Sequence, residues 1–292
     1  MEILKTGNAR EVACEYCKAK DVVSLGYRRH NPAQSISKEN SFAIYRCNVC
    51  EIYFTFPKPP VQELQDFFQN EYHLGRYRKP LAELLNDYPS HRSIFALLKL
   101  LEMPVKKLIA KLAFSRKVDI AGIIRRYLNA GLMDKHFVVE LGPGICPQVY
   151  LEYQGYCYLG VEPSRTVVDI FNRKGYQNIK QGFAENLDFI QQNSVDAIIF
   201  QGTLSHVYNI GAVFNECCRV LKTGGVLLII DNNADSEPPQ GSYAYYGLSK
   251  AFLSKSVSGF RLLEYSCLDA QLRIGKGAEK MLAVLLNEGS VE

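Results

Sequence analysis

From Phe137 onward, short apolar runs alternate with amphipathic stretches, a pattern that predicts strands alternating with helices and hence a doubly wound parallel sheet. Phe137-Val138-Val139-Glu140-Leu141 is the first such run, and it closes on an acid and the turn Gly142-Pro143-Gly144. It reads as a buried strand feeding a ligand loop, with Pro147 at the first position of a helix that runs to Gln154. The next strand, Tyr156 to Glu162, is followed by a helix over Arg165 to Lys174 and a short strand near Asn178 to Gln181. Val195 to Phe200 predicts a fourth strand, Ala212 to Leu221 a helix stopped by Thr223-Gly224-Gly225, and Val226 to Ile230 a fifth strand. A polar stretch from Asp231 to Gln240, a helix near Leu248 to Ser256 and two strands, Phe260 to Tyr265 and Ala278 to Leu286, complete a sheet with an antiparallel edge.

Upstream the pattern changes. Ile52 to Phe56 is a β-prone run ended by Pro57-Lys58-Pro59-Pro60, after which Val61, Leu64 and Phe68 recur at helical spacing. From Leu81 to Met133 the reading is helical, with Val105, Leu108, Ile109 and Leu112 on one face and Lys106, Lys107 and Lys111 on the other. Three segments result: 1–57, 58–133 and 134–292. The aromatics around Tyr72 to Tyr77 suit either a lid over a ligand site or packing between segments.

Cysteine spacing gives the first segment its chemistry. Cys14-x-x-Cys17 and Cys47-x-x-Cys50 are two knuckles able to converge on a tetrahedral zinc ion, and four thiolates leave no open position, so the expected role is structural. The chain has 292 residues, 47% of them hydrophobic, which suffices for a sizeable core. No apolar run approaches the roughly 18 residues that span a bilayer, and Met1-Glu2-Ile3-Leu4-Lys5 does not open a signal peptide, so the expected compartment is the cytoplasm. Formal net charge is +4, yet residues 91–135 carry ten Lys and Arg against three acids, or +7. A solvated helix face accounts for this, as does attraction to a phosphate-bearing substrate, a membrane surface or RNA.

The glycine turn alone fits several nucleotide ligands. Glu162, 20 residues after Gly142, stands where an acid meets ribose hydroxyls in nucleotide-binding sheets. Pro147 occupies the place of the third glycine in a dinucleotide fingerprint, and Glu140 precedes the first glycine by two, which suits an adenosine with a charged amino-acid tail.

Four stretches carry a family resemblance. Val139 to Gly144, Gly160-Val161-Glu162-Pro163-Ser164, Ser194 to Ile199 with Leu204-Ser205-His206-Val207, and Arg219 to Gly225 resemble class I S-adenosylmethionine-dependent methyltransferases. The cysteine-rich start resembles the zinc ribbon of some bacterial members associated with sugar or glycan modification. The resemblance implies a Rossmann-like methyltransferase sheet preceded by the ribbon and a helical segment. It implies that Glu140, Gly142 and Gly144 hold the methionine part of the cofactor, that Glu162 accepts both ribose hydroxyls, that the loop Phe183-Ala184-Glu185 borders the adenine, and that Gln201 also belongs to the cofactor site. Two positions depart from the pattern: Cys146 replaces a third glycine and Phe183 replaces an acid. His206, after the fourth strand, is the candidate base, and Tyr72, Tyr208, Tyr243 and Tyr245 are candidates for the acceptor pocket. The leading reading is a methyltransferase for a small hydroxylated or phosphate-bearing metabolite such as a sugar, nucleotide-sugar or glycan intermediate. RNA methylation and a non-catalytic interaction protein of the same fold are the alternatives. Oligomeric state is not readable.

Overall fold

Two sheets organise the computed structural model, which describes residues 12–29, 41–70, 118–128, 135–145, 147–239, 244–268 and 279–289. The predicted helical stretch from Leu81 to Lys117, together with Tyr72, Tyr243 and Cys146, lies outside the described residues.

The smaller sheet begins with β1 (Val22–Arg29), β2 (Ser41–Cys47) and β3 (Tyr53–Phe56), each antiparallel to the next. Helix α1 (Val61–Asn70) follows the proline run and buries Leu64. The fourth strand comes from far along the chain: Tyr53 and Phe54 pair with Gly247 and Tyr246 of β9 (Tyr246–Gly247). The ribbon sheet is thus completed by a strand from the C-terminal segment.

After α2 (Ile120–Leu128), the larger sheet is built from β4 (Phe137–Leu141), β5 (Cys157–Glu162), β6 (Ile179–Gln181), β7 (Val195–Gln201), β8 (Leu221–Asn232), β10 (Phe260–Leu268) and β11 (Lys280–Asn287). Its order is β10-β11-β8-β7-β4-β5-β6. The five strands from β4 to β8 run parallel, and β11 and β10 add the antiparallel edge. The order turns at β4, so the loops leaving β4 and β7 diverge and open a crevice at the strands' C-terminal ends, where doubly wound sheets take ligands.

Alternation along the strands explains why both faces are covered. Val139, Leu141, Ile198, Phe200, Leu227 and Ile229 join one apolar cluster, whereas Val138, Ala197, Ile199, Val226 and Leu228 join the other. The first cluster also takes in Cys14, Cys47, Cys50, Ile52, Phe54 and Leu64, so ribbon and α1 share one core with the large sheet.

Three expectations need correction. The helix after the glycine loop is a single turn, α3 (Tyr150–Tyr153), so Pro147 lies ahead of it rather than at its first position. Helix α5 (Ile210–Val220) ends before the glycines, and β8 starts directly at Leu221, paired with Val195. Residues 222–225 then leave the ladder before Val226 meets Ala197; Gly224, at φ +82°, and Gly225 form this bulge, not a helix stop. Helices α4 (Arg165–Arg173) and α6 (Lys250–Lys255) lie where expected, each capped by the preceding serine.

Asp196 ties the start of β7 to its neighbours. It accepts from the Phe137 amide at 2.8 Å and pairs with Lys222 at 2.8 Å and His136 at 3.4 Å. Burial pushes its pKa up, but the Lys222 ammonium, the Phe137 amide and His136 outweigh this and hold it below the usual carboxylate range. A depressed folded-state pKa means stability that is present above the unfolded value of about 3.9 and lost as pH falls through the folded value. Asp196→Asn is expected to cost about 1–3 kcal/mol at pH 7, with the difference from wild type shrinking below pH 4, as read by urea unfolding at both pH values.

Candidate functional site

The crevice is an open cleft walled by the loops that leave the strands and by α1. Gly142, Val161 and Pro163 come from the ends of β4 and β5, and Phe183 and Ala184 from the loop after β6. Thr203, His206 and Tyr208 come from the loop after β7, and Leu64 and Phe68 of α1 form the facing wall.

Gly142 takes φ +68°, a conformation natural to glycine, and donates its amide to Val161 O at 2.8 Å. Thr203 Oγ1 donates to Gly142 O at 3.0 Å, joining the loops after β4 and β7. Glu162 is 2% exposed, and its two carboxylate oxygens accept from Gly144 N at 2.8 Å and Ser164 N at 2.9 Å. An ionised carboxylate offers about four acceptor positions, and these two amides fix its plane at the rim of the glycine loop. Glu140 is buried behind the loop, accepting from Tyr158 OH at 2.6 Å, Gln148 N at 2.7 Å and Gln201 Nε2 at 2.9 Å. Gln148 Oε1 is buried and has no hydrogen-bond partner among the described residues.

The structure therefore divides the sequence-derived candidates. Gly142, Phe183, Ala184 and His206 line the cleft itself; Glu140, Glu162 and Gln201 sit beneath or beside its floor. Gln201 does not line the cleft and instead orients Glu140. His206 closes the one-turn 3₁₀ segment Leu204–His206, its ring 6.4 Å from that of Phe68. Buried Asp231 holds this segment by accepting from Ser205 N at 3.1 Å and Ser205 Oγ at 3.2 Å. Tyr208 lines the cleft, but Tyr245 is 1% exposed inside the core.

Glu185, the last residue of the expected adenine loop, and Lys58, which has no role in the sequence reading, brace the wall. Glu185 accepts from Tyr208 N at 2.7 Å and Asn209 N at 3.3 Å, lacing the loop after β6 to the loop after β7. Beneath Tyr208, Lys58 Nζ donates to Tyr208 O and forms an ion pair with Glu15. It also lies 2.8 Å from Tyr246 OH. Burial lowers the Lys58 pKa against the opposing pull of Glu15, and burial with the nearby Glu15 charge raises that of Tyr246. A lysine between prolines carries no pattern that marks this role.

In the ribbon, the four cysteine sulfurs lie within 4.8 Å of one another, with Cys14–Cys50 and Cys17–Cys47 both at 3.6 Å. Sulfurs at 2.3 Å from a tetrahedral zinc stand about 3.8 Å apart, so the donor set fits that ion. The knuckles repeat one geometry: Lys18 N bonds to Cys14 O and Glu51 N to Cys47 O, and both Lys18 and Glu51 have φ +63°.

Residues 139–229 match the family model described as methyltransferase domain. This stretch, 91 of the 292 residues, is similar to that family. A geranyl diphosphate C-methyltransferase from Streptomyces coelicolor shares its fold, with a TM-score of 0.53 and 16% identity over 79% of this chain and 100% of that one. An S-adenosylmethionine-dependent methyltransferase from Methanosarcina mazei aligns at TM-score 0.46 and 15% identity over 60% of this chain and all of its own. The Escherichia coli protein YafE is 36% identical over 59 residues, 20% of this chain, and the match spans 28% of that relative's length. All the candidate cofactor residues fall inside the matched stretch, whereas α1, which lies outside it, contributes Leu64, Gln65 and Phe68 to the cleft wall. No helix among the described residues is long and apolar enough to cross a membrane.

Proposed function

We propose that the protein is an S-adenosylmethionine-dependent methyltransferase acting on a small molecule, and that its ribbon holds a structural zinc ion through Cys14, Cys17, Cys47 and Cys50. The observation that carries this reading is the convergence of Gly142, Phe183, Ala184, Thr203 and His206 on one cleft at the C-terminal ends of β4, β5 and β7. Glu162, oriented by two amides, is placed to accept the ribose hydroxyls. The orphaned oxygen of Gln148, a residue whose backbone amide donates to Glu140, supports a cationic amino group of the kind the cofactor's tail carries on this side of the glycine loop. Phe183 and Ala184 supply an apolar border for adenine.

Bound there, the cofactor supplies an electrophilic methyl on a sulfonium centre. The chain's task is then to align an acceptor for in-line attack and to take its proton where the acceptor is a poor nucleophile. His206 is the group on the acceptor side of the cleft that can hold that proton, and Phe68 and Leu64 shield the reaction from water. A sugar, nucleotide-sugar or glycan intermediate is the acceptor class proposed, in keeping with the ribbon-bearing architecture. The geranyl diphosphate enzyme of the same fold takes a small diphosphate-bearing molecule, consistent in scale with that proposal. An RNA acceptor is less favoured, because the knuckle cysteines are packed into the shared core instead of standing clear of it.

Titration calorimetry with S-adenosylhomocysteine tests the cofactor reading, and absence of saturable binding would sink it. Glu162→Ala is expected to weaken that binding about 100-fold, from the loss of charge-assisted hydrogen bonds worth about 1.5–3 kcal/mol each. Methyl transfer from labelled cofactor onto a panel of nucleotide-sugars, with structured RNA as comparator, tests the acceptor class.

A further inference from the structure

The strand pairing between ribbon and methyltransferase domain leaves one buried ion pair at their junction, and it reaches the cleft. Lys58 follows the ribbon sheet directly, and its side chain is 7% exposed. Its ammonium group meets the Glu15 carboxylate, the Tyr208 carbonyl and the Tyr246 hydroxyl, and stands 4.6 Å from the ring centres of both tyrosines. Tyr246 OH completes the cluster, lying 2.9 Å from Glu15 Oε2 and 3.1 Å from Tyr208 O.

Each member belongs to a different part of the chain. Glu15 lies within the first cysteine knuckle, whose backbone is closed by Cys14 N to Ala19 O at 2.8 Å. Tyr246 belongs to β9, the strand that the ribbon borrows. Tyr208 lines the cleft, and its amide is gripped by Glu185, which lines it too. A continuous line of polar contacts thus runs from the knuckle through Glu15 and Lys58 to Tyr208 and Glu185.

We infer that Lys58 is a positioning residue for the cofactor side of the cleft: it fixes the Tyr208 backbone, and through Glu185 the Phe183-Ala184 border, in register with the ribbon. The inference rests on the cofactor reading given above. The physical reason lies in the burial. A desolvated ammonium held by a carboxylate, a carbonyl, a hydroxyl and two ring faces has one arrangement that satisfies all partners. Removing it leaves the Tyr246 hydroxyl, whose single proton can serve only one of the Glu15 carboxylate and the Tyr208 carbonyl, and the Tyr208 loop is the nearest element able to move toward water. Glu15 reaches Tyr208 through Lys58 and through Tyr246 OH, which itself accepts from Lys58, so Glu15 and Lys58 contribute as parts of one cluster.

The test is a double-mutant cycle read by calorimetric titration of S-adenosylhomocysteine into the full chain. Lys58→Met and Glu15→Gln are each expected to weaken binding about tenfold, and the double variant no more than either alone, since coupling between contacting groups makes losses non-additive. Asp196→Asn, far from the cleft at the opposite ends of the strands, serves as a control: it lowers the melting temperature and leaves the affinity unchanged. Wild-type affinity in Lys58→Met, or additive losses in the double variant, would overturn the role of Lys58. A loss of affinity in Asp196→Asn equal to that of Lys58→Met would do the same, because general destabilisation would then explain both. If Lys58→Met does not fold, the isosteric Glu15→Gln decides alone, with lost affinity supporting the inference and retained affinity refuting it. Failure of the wild-type protein to bind S-adenosylhomocysteine is a separate outcome that removes the cofactor reading itself.

Discussion

Gly142→Val is expected to abolish measurable S-adenosylhomocysteine binding and to lower stability by about 2–5 kcal/mol, combining left-handed backbone strain with overpacking. Gly142 sits at φ +68°, and a Cβ there would lie 2.1 Å from Thr203 Cγ2 and 3.0 Å from Thr203 Cβ. Thr203 has no costless retreat, because its hydroxyl donates to Gly142 O and anchors the loop after β7. Relief therefore means separating the two loops that form the cleft. Gly142→Ala meets the same atoms without the β-branch, so its losses should be smaller in both readings. Thermal unfolding and calorimetry on the two variants check the order, and a valine variant that binds with wild-type affinity would contradict this account of the loop.

Removal of the ribbon metal should produce the second large effect. Structural zinc in four-thiolate sites contributes an apparent 10–16 kcal/mol to folding of small metal domains near neutral pH. Cys14 and Cys47 are fully buried in the cluster that includes Leu64 of the cleft wall. Chelation, or Cys47→Ser, is therefore expected to lower the melting temperature and to expose the amides of β2 and β3 to hydrogen exchange. Because α1 packs on the same cluster, exchange should also rise around Leu64. Elemental analysis gives the stoichiometry. A protein that carries no metal and melts identically with and without chelator would refute the assignment.

Much of the large sheet was legible because burial on both faces leaves a plain record. Val195-Asp196-Ala197-Ile198-Ile199-Phe200 is almost wholly apolar, and only a covered parallel strand tolerates that. The loops that line the cleft were legible for a different reason: Gly142 and the Phe183-Ala184 pair follow strand ends at spacings set by the sheet. Errors fell where one residue type serves two purposes. Gly224 and Gly225 read as a helix stop, yet they build a bulge inside β8, since glycine's freedom suits either. Tyr245 read as a pocket candidate and is buried, as is Tyr246 beside it, because a tyrosine near a ligand loop reads alike whether it lines a pocket or packs in a core. The junction with the ribbon left no trace at all. A two-residue strand such as Tyr246-Gly247 is too short to show a period, and Lys58 and Glu15 are ordinary charged residues until the fold brings them together.

The pairing of Phe54 with Tyr246 also has a consequence for the order in which the molecule is made. The partners are 192 positions apart (246 − 54), so at about 5–20 residues per second the ribosome needs roughly 10–40 s after β3 to deliver its neighbour. During that interval β3 is an unprotected edge, and Phe54, fully buried in the finished protein, has no cover on that side. The first-made sheet is thus closed by nearly the last-made strand, which makes completion of the ribbon a late step in folding and the nascent ribbon a natural client for chaperones.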